Sequence, residues 1–283
     1  MSSRSPRYKL IALDLDGTVI GTDLIVSPRV KTAIRRAMET GVVVTLATGR
    51  MFRAALPYAR ELGLQAPLIC YQGAMIKSPV DQQVLYHQPV PLYLARQVME
   101  VVQEKGLHLN VYLDDHLYVS QVNRWALAYA NIARVPIHAV GDLAAFLNAD
   151  PTKMVVVSDP PVNDVVSREL KERFRDVLFI TKSYPIFCEV AHPACSKSQA
   201  LARLCDLLGI RREETVAVGD NANDADMVEW AGLGVAMGNA TQEVLDVAQA
   251  ITGTVHEDGV AQILEQLLDG ALSDQVVPET PCR

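Results

Sequence analysis

A short apolar run near the start of the chain ends abruptly in two carboxylates, a glycine and a hydroxyl group. It covers residues 10–18 and reads LIALDLDGT. An apolar run bounded by a turn signal predicts a buried strand, which places Asp14 and Asp16 at its carboxyl end, where open parallel sheets bind ligands. Residues two apart on a strand share a face, so both carboxylates can face one reacting group. A strand followed by a plain Asp-Gly turn is the alternative at this point.

The residues that follow indicate a parallel sheet. Ser27-Pro28 predicts the start of a helix that ends at Gly41, and residues 42–47 predict a second buried strand. That strand ends in the polar turn at residues 48–50, which we expect to open another helix. A third short strand is predicted at 68–70. Strand, helix, strand, turn and helix in succession are typical of a parallel α/β sheet.

The middle third of the chain has a different pattern. Strands predicted at 107–113 and 116–120 are joined at Asp114-Asp115, which favours a hairpin over a crossover. Further helices and strands follow up to residue 190, and together they predict an α+β module whose antiparallel sheet carries helices on one face. The parallel pattern then resumes, with strands predicted at 215–218 and 233–237.

Length and composition narrow the domain organisation, the partners and the location that we expect for this protein. The chain of 283 residues is longer than most single cores, so we expect two domains or one domain with an insertion. The net charge of -7 argues against nucleic-acid or membrane partners, and the N-terminus lacks the apolar core of a secretory signal. No apolar run approaches a membrane span. The five cysteines form no C-x-x-C pair, which indicates reduced thiols and a cytoplasmic location.

Four separated motifs together resemble those of the haloacid dehalogenase (HAD) superfamily of phosphohydrolases, and within it the Cof-type (class IIB) phosphatases. They are DLDGT at 14–18, TGR at 48–50, a lysine at 197, and GDNAND at 219–224. Gly73-Ala74, Glu189 and residues 258–260 support the match.

The resemblance implies an α/β fold in which a Rossmann-like parallel-sheet HAD core carries an inserted α+β cap domain. We expect a discontinuous core at 1–83 and 189–270, a cap at 84–188, and a flexible C-terminal tail at 271–283. In this family the cap closes over the active site and selects the leaving group. The sequence does not name the substrate, and it gives no basis for inferring a protein partner.

The implied activity is Mg²⁺-dependent hydrolysis of small phosphorylated metabolites, above all sugar phosphates, through an aspartyl-phosphate. A sugar phosphomutase and a non-catalytic phosphosugar-binding protein are the alternatives, although the second is expected to lack Asp16. Asp14 is the implied nucleophile and Asp16 the acid-base group, while the Asp14 and Asp220 carboxylates and the Asp16 carbonyl hold Mg²⁺. The implied phosphate-binding residues are Leu15, Thr48, Gly49, Lys197 and Asn223. Thr18 and Asp224 are implied to support the site by contacting these catalytic and binding groups and not the phosphate itself.

Overall fold

The computed structural model describes residues 7–270 of the chain, so the tail predicted at 271–283 lies outside the described residues. Contacts group the described residues into two compact units. The core and cap boundaries expected from the sequence stay a prediction. The first unit contains residues 7–47, 58–66 and 201–270, and the second contains residues 48–57 and 67–200.

Residues 7–270 form both strands and helices, and several strands in the middle of the chain follow one another directly. The strands are β1 (Leu10–Leu13), β2 (Val43–Leu46), β3 (Leu68–Cys70), β4 (Met75–Lys77), β5 (Val84–His87), β6 (His108–Leu113), β7 (His116–Val119), β8 (Ile137–Ala139), β9 (Lys153–Val157), β10 (Phe179–Tyr184), β11 (Phe187–Ala191), β12 (Thr215–Gly219), β13 (Leu233–Ala236) and β14 (Ala250–Ile251). The helices are α1 (Pro28–Glu39), α2 (Phe52–Glu61), α3 (Leu92–Glu104), α4 (Arg124–Ala133), α5 (Leu143–Phe146), α6 (Pro160–Arg173), α7 (Lys197–Leu208), α8 (Ala225–Trp230), α9 (Gln242–Leu245) and α10 (Gly259–Leu268).

A five-stranded sheet forms the centre of the first unit. Its order is β14-β13-β12-β1-β2, and every neighbouring pair is parallel. All four residues of β1 are buried, as expected for a strand with covered faces. The parallel α/β sheet predicted from the alternating pattern is therefore confirmed.

The first helix begins where the sequence predicts. The Ser27 hydroxyl accepts a hydrogen bond from the Val30 N–H at 3.1 Å, and Pro28 occupies the first helical position. Buried Val30 and Ile34 lie on one face of this helix. No helix within residues 7–270 has the length and apolar character that a membrane span requires.

Two sheets form the second unit. One has six strands in the order β10-β11-β9-β6-β7-β8, and the other has three antiparallel strands in the order β3-β4-β5. The strand predicted at 68–70 is thus confirmed, but it belongs to the small antiparallel sheet. The predicted hairpin is also confirmed, because Leu113 pairs with His116 across the turn at Asp114-Asp115.

Two expectations for the six-stranded sheet were wrong. The sheet is mixed, since β8 runs parallel to β7 after the crossover through α4. Its helices also lie on both faces. Val111 of β6 belongs to the hydrophobic cluster that includes residues of α3 and α6, whereas Tyr112, on the opposite face, contacts Tyr129 of α4. The sequence pattern shows α4 as a helix but does not show which face of the sheet it covers.

Candidate active site

Two neighbouring strands of the parallel sheet position the acidic residues of the first unit. β1 pairs with β12 so that Leu13 lies opposite Val218, and both strands end at the same edge of the sheet. Asp14 directly follows β1, and Asp220 directly follows β12. With Asp224, they form a trio in which one carboxylate oxygen from each residue lies within 4.8 Å of the other two.

The chemistry of this acidic trio fits a hard divalent cation. Asp14 and Asp224 are buried, and Asp220 is partly buried. Carboxylates held this close in a shielded place repel one another unless protons, hydrogen bonds or a cation offset their charge. Oxygen ligands are those that Mg²⁺ prefers in proteins. Within residues 7–270, this is the one group of three potential metal-binding side chains with such spacing.

The Asp220 carboxylate is also held by neutral donors. The Thr18 hydroxyl donates a hydrogen bond to Asp220 Oδ1 at 2.8 Å. Asn239 Nδ2 donates to the carbonyl oxygen of Gly17 at 2.9 Å and lies 3.5 Å from Asp220 Oδ2. Thr18 thus contacts Asp220 directly, and its supporting role in catalysis stays a prediction.

Asn239 is a residue of this site that the sequence did not reveal. Its side chain connects the loop after β1 with Asp220, and its Oδ1 accepts from the Val255 N–H at 2.8 Å. The available signal was its place shortly after β13, the strand that neighbours β12. An asparagine following Gly238 also fits an ordinary turn, so the sequence alone did not single it out.

Asp224 shapes the loop that carries Asp220. Its Oδ2 accepts hydrogen bonds from the backbone N–H groups of Asp220 and Asn221, both at 3.0 Å. Gly219 allows this close approach, because a Cβ built there would lie 2.5 Å from the Cβ of Asp224. Asp224 therefore combines a backbone-binding role with a place in the acidic trio.

The other predicted residues of the first unit lie on the same two loops. Leu15 is buried, and its carbonyl accepts from the N–H groups of Val19 and Ile20 at 3.0 and 2.9 Å. The side chains of Asp16 and Asn223 are exposed, in contrast to the buried Asp14. Asp14 and Asp16, two residues apart, therefore occupy different environments.

Thr48 and Gly49 belong to the second unit, where Gln72 lies against their loop. The Gln72 N–H donates to the Thr48 carbonyl at 3.1 Å, and a Cβ at Gly49 would lie 2.5 Å from Gln72 Nε2. The helix expected after the turn at 48–50 is confirmed, and α2 begins at Phe52. Backbone groups at 48–50 bond to residues 69–72, so the helical turns start after this loop.

Lys197 is the first residue of α7 and is almost completely buried, with 1% of its surface exposed. Gly73 lies close to the preceding residue, because a Cβ at Gly73 would come 2.1 Å from the carbonyl oxygen of Ser196. Gly73 also has φ +94, which other residues rarely adopt. Close packing against the residue before Lys197 therefore gives a physical reason for the glycine that supported the motif match.

Replacing Gly17 with alanine is expected to disturb the acidic trio. Gly17 has φ +90, and a Cβ there would lie 2.2 Å from Asp220 Oδ2. Gly41 is a matched control, because it has φ +89 but its Cβ would meet no atom within 4 Å. We expect Gly41→Ala to lower the free energy of unfolding by about 1 kcal/mol, and Gly17→Ala to lower it by about 3 kcal/mol. Urea unfolding of both variants tests this, and equal losses would contradict the crowding at Asp220.

Comparison with known proteins identifies the family. The sequence matches the model of the haloacid dehalogenase-like hydrolases over residues 11–264. A Bacillus subtilis 5-amino-6-(5-phospho-D-ribitylamino)uracil phosphatase is 30% identical over 262 residues, which cover 91% of this chain and 96% of that protein. An Escherichia coli pyridoxal phosphate phosphatase is 30% identical over 266 residues, which cover 90% of this chain and 97% of that protein.

A solved structure is similar over most of the chain. The crystal structure of a haloacid dehalogenase-like hydrolase from Bacteroides thetaiotaomicron has a TM-score of 0.87 and 30% identity, and covers 92% of this chain and 99% of that one. The chain therefore belongs to the haloacid dehalogenase-like hydrolases, which confirms the resemblance seen in the motifs. The predicted enzyme class, a phosphoric monoester hydrolase, is confirmed by the family together with the phosphatase relatives.

Proposed function

We propose that this protein is a Mg²⁺-dependent phosphatase of small phosphorylated metabolites that acts through an aspartyl-phosphate. The observation that carries the proposal is the acidic trio at the ends of β1 and β12. It combines a buried carboxylate in the nucleophile position of the motif with a second carboxylate suited to a cation. A phosphate monoester is anionic, so a carboxylate can attack it only where positive charge offsets the repulsion.

The proposed ligands of Mg²⁺ are the carboxylates of Asp14 and Asp220 and the backbone carbonyl of Asp16. When bound, the cation would offset negative charge between the phosphate and the attacking carboxylate. Thr18 supports this arrangement through its 2.8 Å hydrogen bond to Asp220. Asp224, whose carboxylate binds the backbone of the same loop, would hold Asp220 in place.

Asp14 and Asp16 divide the chemistry between them. A carboxylate oxygen of Asp14 attacks phosphorus while the bond from phosphorus to the leaving oxygen breaks, and protonated Asp16 gives its proton to that oxygen. Asp16 then accepts a proton from water, the water oxygen attacks phosphorus, and the bond from Asp14 to phosphorus breaks. Inorganic phosphate and the original Asp14 carboxylate result. The exposed side chain of Asp16 suits a group that must meet a leaving group and water in turn.

The remaining motif residues are proposed to bind the phosphoryl group. Backbone N–H groups of Leu15 and Gly49 and the Thr48 hydroxyl would donate hydrogen bonds to its oxygens. Lys197 would supply positive charge, and burial of its stem fixes where that charge lies. Asn223 would orient the phosphoryl group through its amide.

The leaving group is proposed to be that of a small metabolite, with sugar phosphates as the leading class. Two relatives with 30% identity are named as phosphatases of a phosphoribitylamino-uracil and of pyridoxal phosphate, both small phosphorylated molecules. We propose that residues 84–188 form the cap that selects the leaving group. The negative net charge and the cysteine pattern support a cytoplasmic enzyme without nucleic-acid or membrane partners.

Metal removal tests the cofactor. Treatment with EDTA is expected to abolish hydrolysis of p-nitrophenyl phosphate, and added Mg²⁺ is expected to restore it. Asp220→Asn should weaken Mg²⁺ binding by about 100-fold in calorimetric titration, because it removes a charged ligand. Asp246→Asn is the control, since Asp246 is an exposed carboxylate of the same unit outside the trio. Full activity in EDTA, or equal Mg²⁺ affinity of the two variants, would contradict the metal site.

A further inference from the structure

A buried carboxylate in the six-stranded sheet's hairpin is not explained by the motif chemistry. Asp115 is the second residue of the turn between β6 and β7, and only 6% of its surface is exposed. Asp114 and Asp115 have φ +49 and +58, which non-glycine residues adopt at an energetic cost. A buried charge on a left-handed residue persists only where specific partners compensate for it.

The partners of Asp115 come from segments distant in sequence. Its Oδ1 accepts a hydrogen bond from the Tyr71 hydroxyl at 2.8 Å, and its carboxylate also accepts from the backbone N–H of Arg53. Burial raises the pKa of the Asp115 carboxyl, while the Tyr71 hydroxyl and the positive charge of Lys77 oppose that rise. All these residues lie in the second unit, so the hairpin is joined to the start of α2 and to Tyr71 within one compact body.

Tyr71 in turn holds the loop that contains Thr48. Its N–H donates to the Arg50 carbonyl at 2.9 Å, and the next N–H, of Gln72, donates to the Thr48 carbonyl at 3.1 Å. Tyr71 and Gln72 have φ +55 and +57, so two successive non-glycine residues are left-handed here. Such strain needs surrounding contacts to hold it, and the hydrogen bond to Asp115 is one of them.

We propose that Asp115 is a positioning residue that keeps the Thr48-Gly49 loop in its phosphate-binding conformation by holding Tyr71 and the first turn of α2. The inference rests on the proposed function, in which Thr48 and Gly49 bind the phosphoryl group. Asp115 does not itself contact phosphate. Asp115 acts on this loop through two contacts. One is with the backbone N–H of Arg53, which follows the loop in the chain, and the other is with Tyr71, whose segment is hydrogen-bonded to the loop.

Two substitutions weaken this connection with little change of shape. Tyr71→Phe deletes the hydrogen-bond donor, and Asp115→Asn replaces the charged acceptor with a weaker neutral one while keeping a residue type that tolerates positive φ. Each is expected to raise KM for p-nitrophenyl phosphate and the inhibition constant of inorganic phosphate about tenfold, with a smaller change in kcat. The double variant should show little more than the larger single effect, because both substitutions act on the same hydrogen bond.

Tyr129→Phe is the matched control. Tyr129 is also a buried tyrosine of the second unit, and its hydroxyl accepts a hydrogen bond from the Tyr112 hydroxyl at 2.8 Å. Loss of the Tyr129 hydroxyl is expected to lower thermal stability, while KM and the inhibition constant of phosphate stay within about twofold of the wild type. All assays are run well below the lowest melting temperature of the set.

The outcomes separate this inference from the proposed function. Unchanged KM and phosphate inhibition in Tyr71→Phe and Asp115→Asn, with an active wild type and an inactive Asp14→Asn, would overturn the positioning role alone. Equal rises in Tyr129→Phe would also overturn it, because general destabilisation would then explain the effect. A wild type that does not release phosphate at all would instead overturn the proposed function.

Discussion

Replacing Asp14 with asparagine is expected to lower phosphate release on the order of 10⁴-fold, to the background of the assay. The amide has nearly the shape of the carboxylate but is a poor nucleophile toward phosphorus. Asp14 is buried at the end of β1, where its backbone N–H donates to the Val218 carbonyl at 2.9 Å. That backbone bond does not depend on the side chain, so the variant should fold. Phosphate release from p-nitrophenyl phosphate and from a panel of sugar phosphates measures the effect.

Asp23→Asn is the control for this substitution. Asp23 is an exposed carboxylate on the connection after β1, and its side chain accepts from the Ile25 N–H at 3.1 Å. We expect this variant to retain activity within about twofold of the wild type, as is usual for surface substitutions away from a site. Substantial activity in Asp14→Asn would remove the covalent mechanism, and a similar loss in Asp23→Asn would indicate a general disturbance of the loop.

Replacing Asp16 with asparagine is expected to affect substrates unequally. An alkoxide leaves poorly without a proton, so hydrolysis of a sugar phosphate should fall by about 10²- to 10⁴-fold. p-Nitrophenolate leaves without protonation, so the first turnover on p-nitrophenyl phosphate should be largely preserved. The second step still needs a base to accept a proton from water, and we therefore expect a burst of p-nitrophenolate followed by slow turnover.

Rapid-quench measurement of the first turnover distinguishes the loss of an acid-base group in Asp16→Asn from a structural defect. A burst close to one p-nitrophenolate per chain would show that the nucleophile and the phosphate-binding residues still work. Equal losses on both substrates in the first turnover would contradict an acid-base role for Asp16. Because Asp16 is exposed on its loop, its substitution should change stability little, which a thermal melt can verify.

The parallel sheet could be predicted from the sequence because its signals are local. Residues 10–13 form an apolar run that ends in a polar turn, and the Ser27 cap marks the start of α1. Asp14 and Asp220 are brought together by the pairing of β1 with β12, which follows from parallel strands that end at one edge. Short elements such as β14 were not predicted, since two residues carry too little pattern.

Other features depend on contacts between residues far apart in the sequence. Asn239 lies 222 positions from Gly17, whose carbonyl it contacts, and nothing near it in the chain shows that partner. The helix after the turn at 48–50 was predicted, but the backbone bonds from that turn to residues 69–72 were not. The turn at Asp114-Asp115 was predicted, but the bond from Tyr71 to Asp115 depends on the fold of the second unit. Each of these features depends on tertiary contacts, which local sequence patterns do not show.

Trapping the phosphoryl group on the protein tests the central claim most directly. The Asp16→Asn variant is mixed with p-nitrophenyl phosphate and Mg²⁺, quenched in acid during the burst, and digested for mass spectrometry. We expect the peptide containing Asp14 to gain the mass of one phosphoryl group, and the corresponding peptide of the Asp14→Asn/Asp16→Asn double variant to gain none. A phosphoryl group on another residue, or a burst of p-nitrophenolate without any protein adduct, would contradict it.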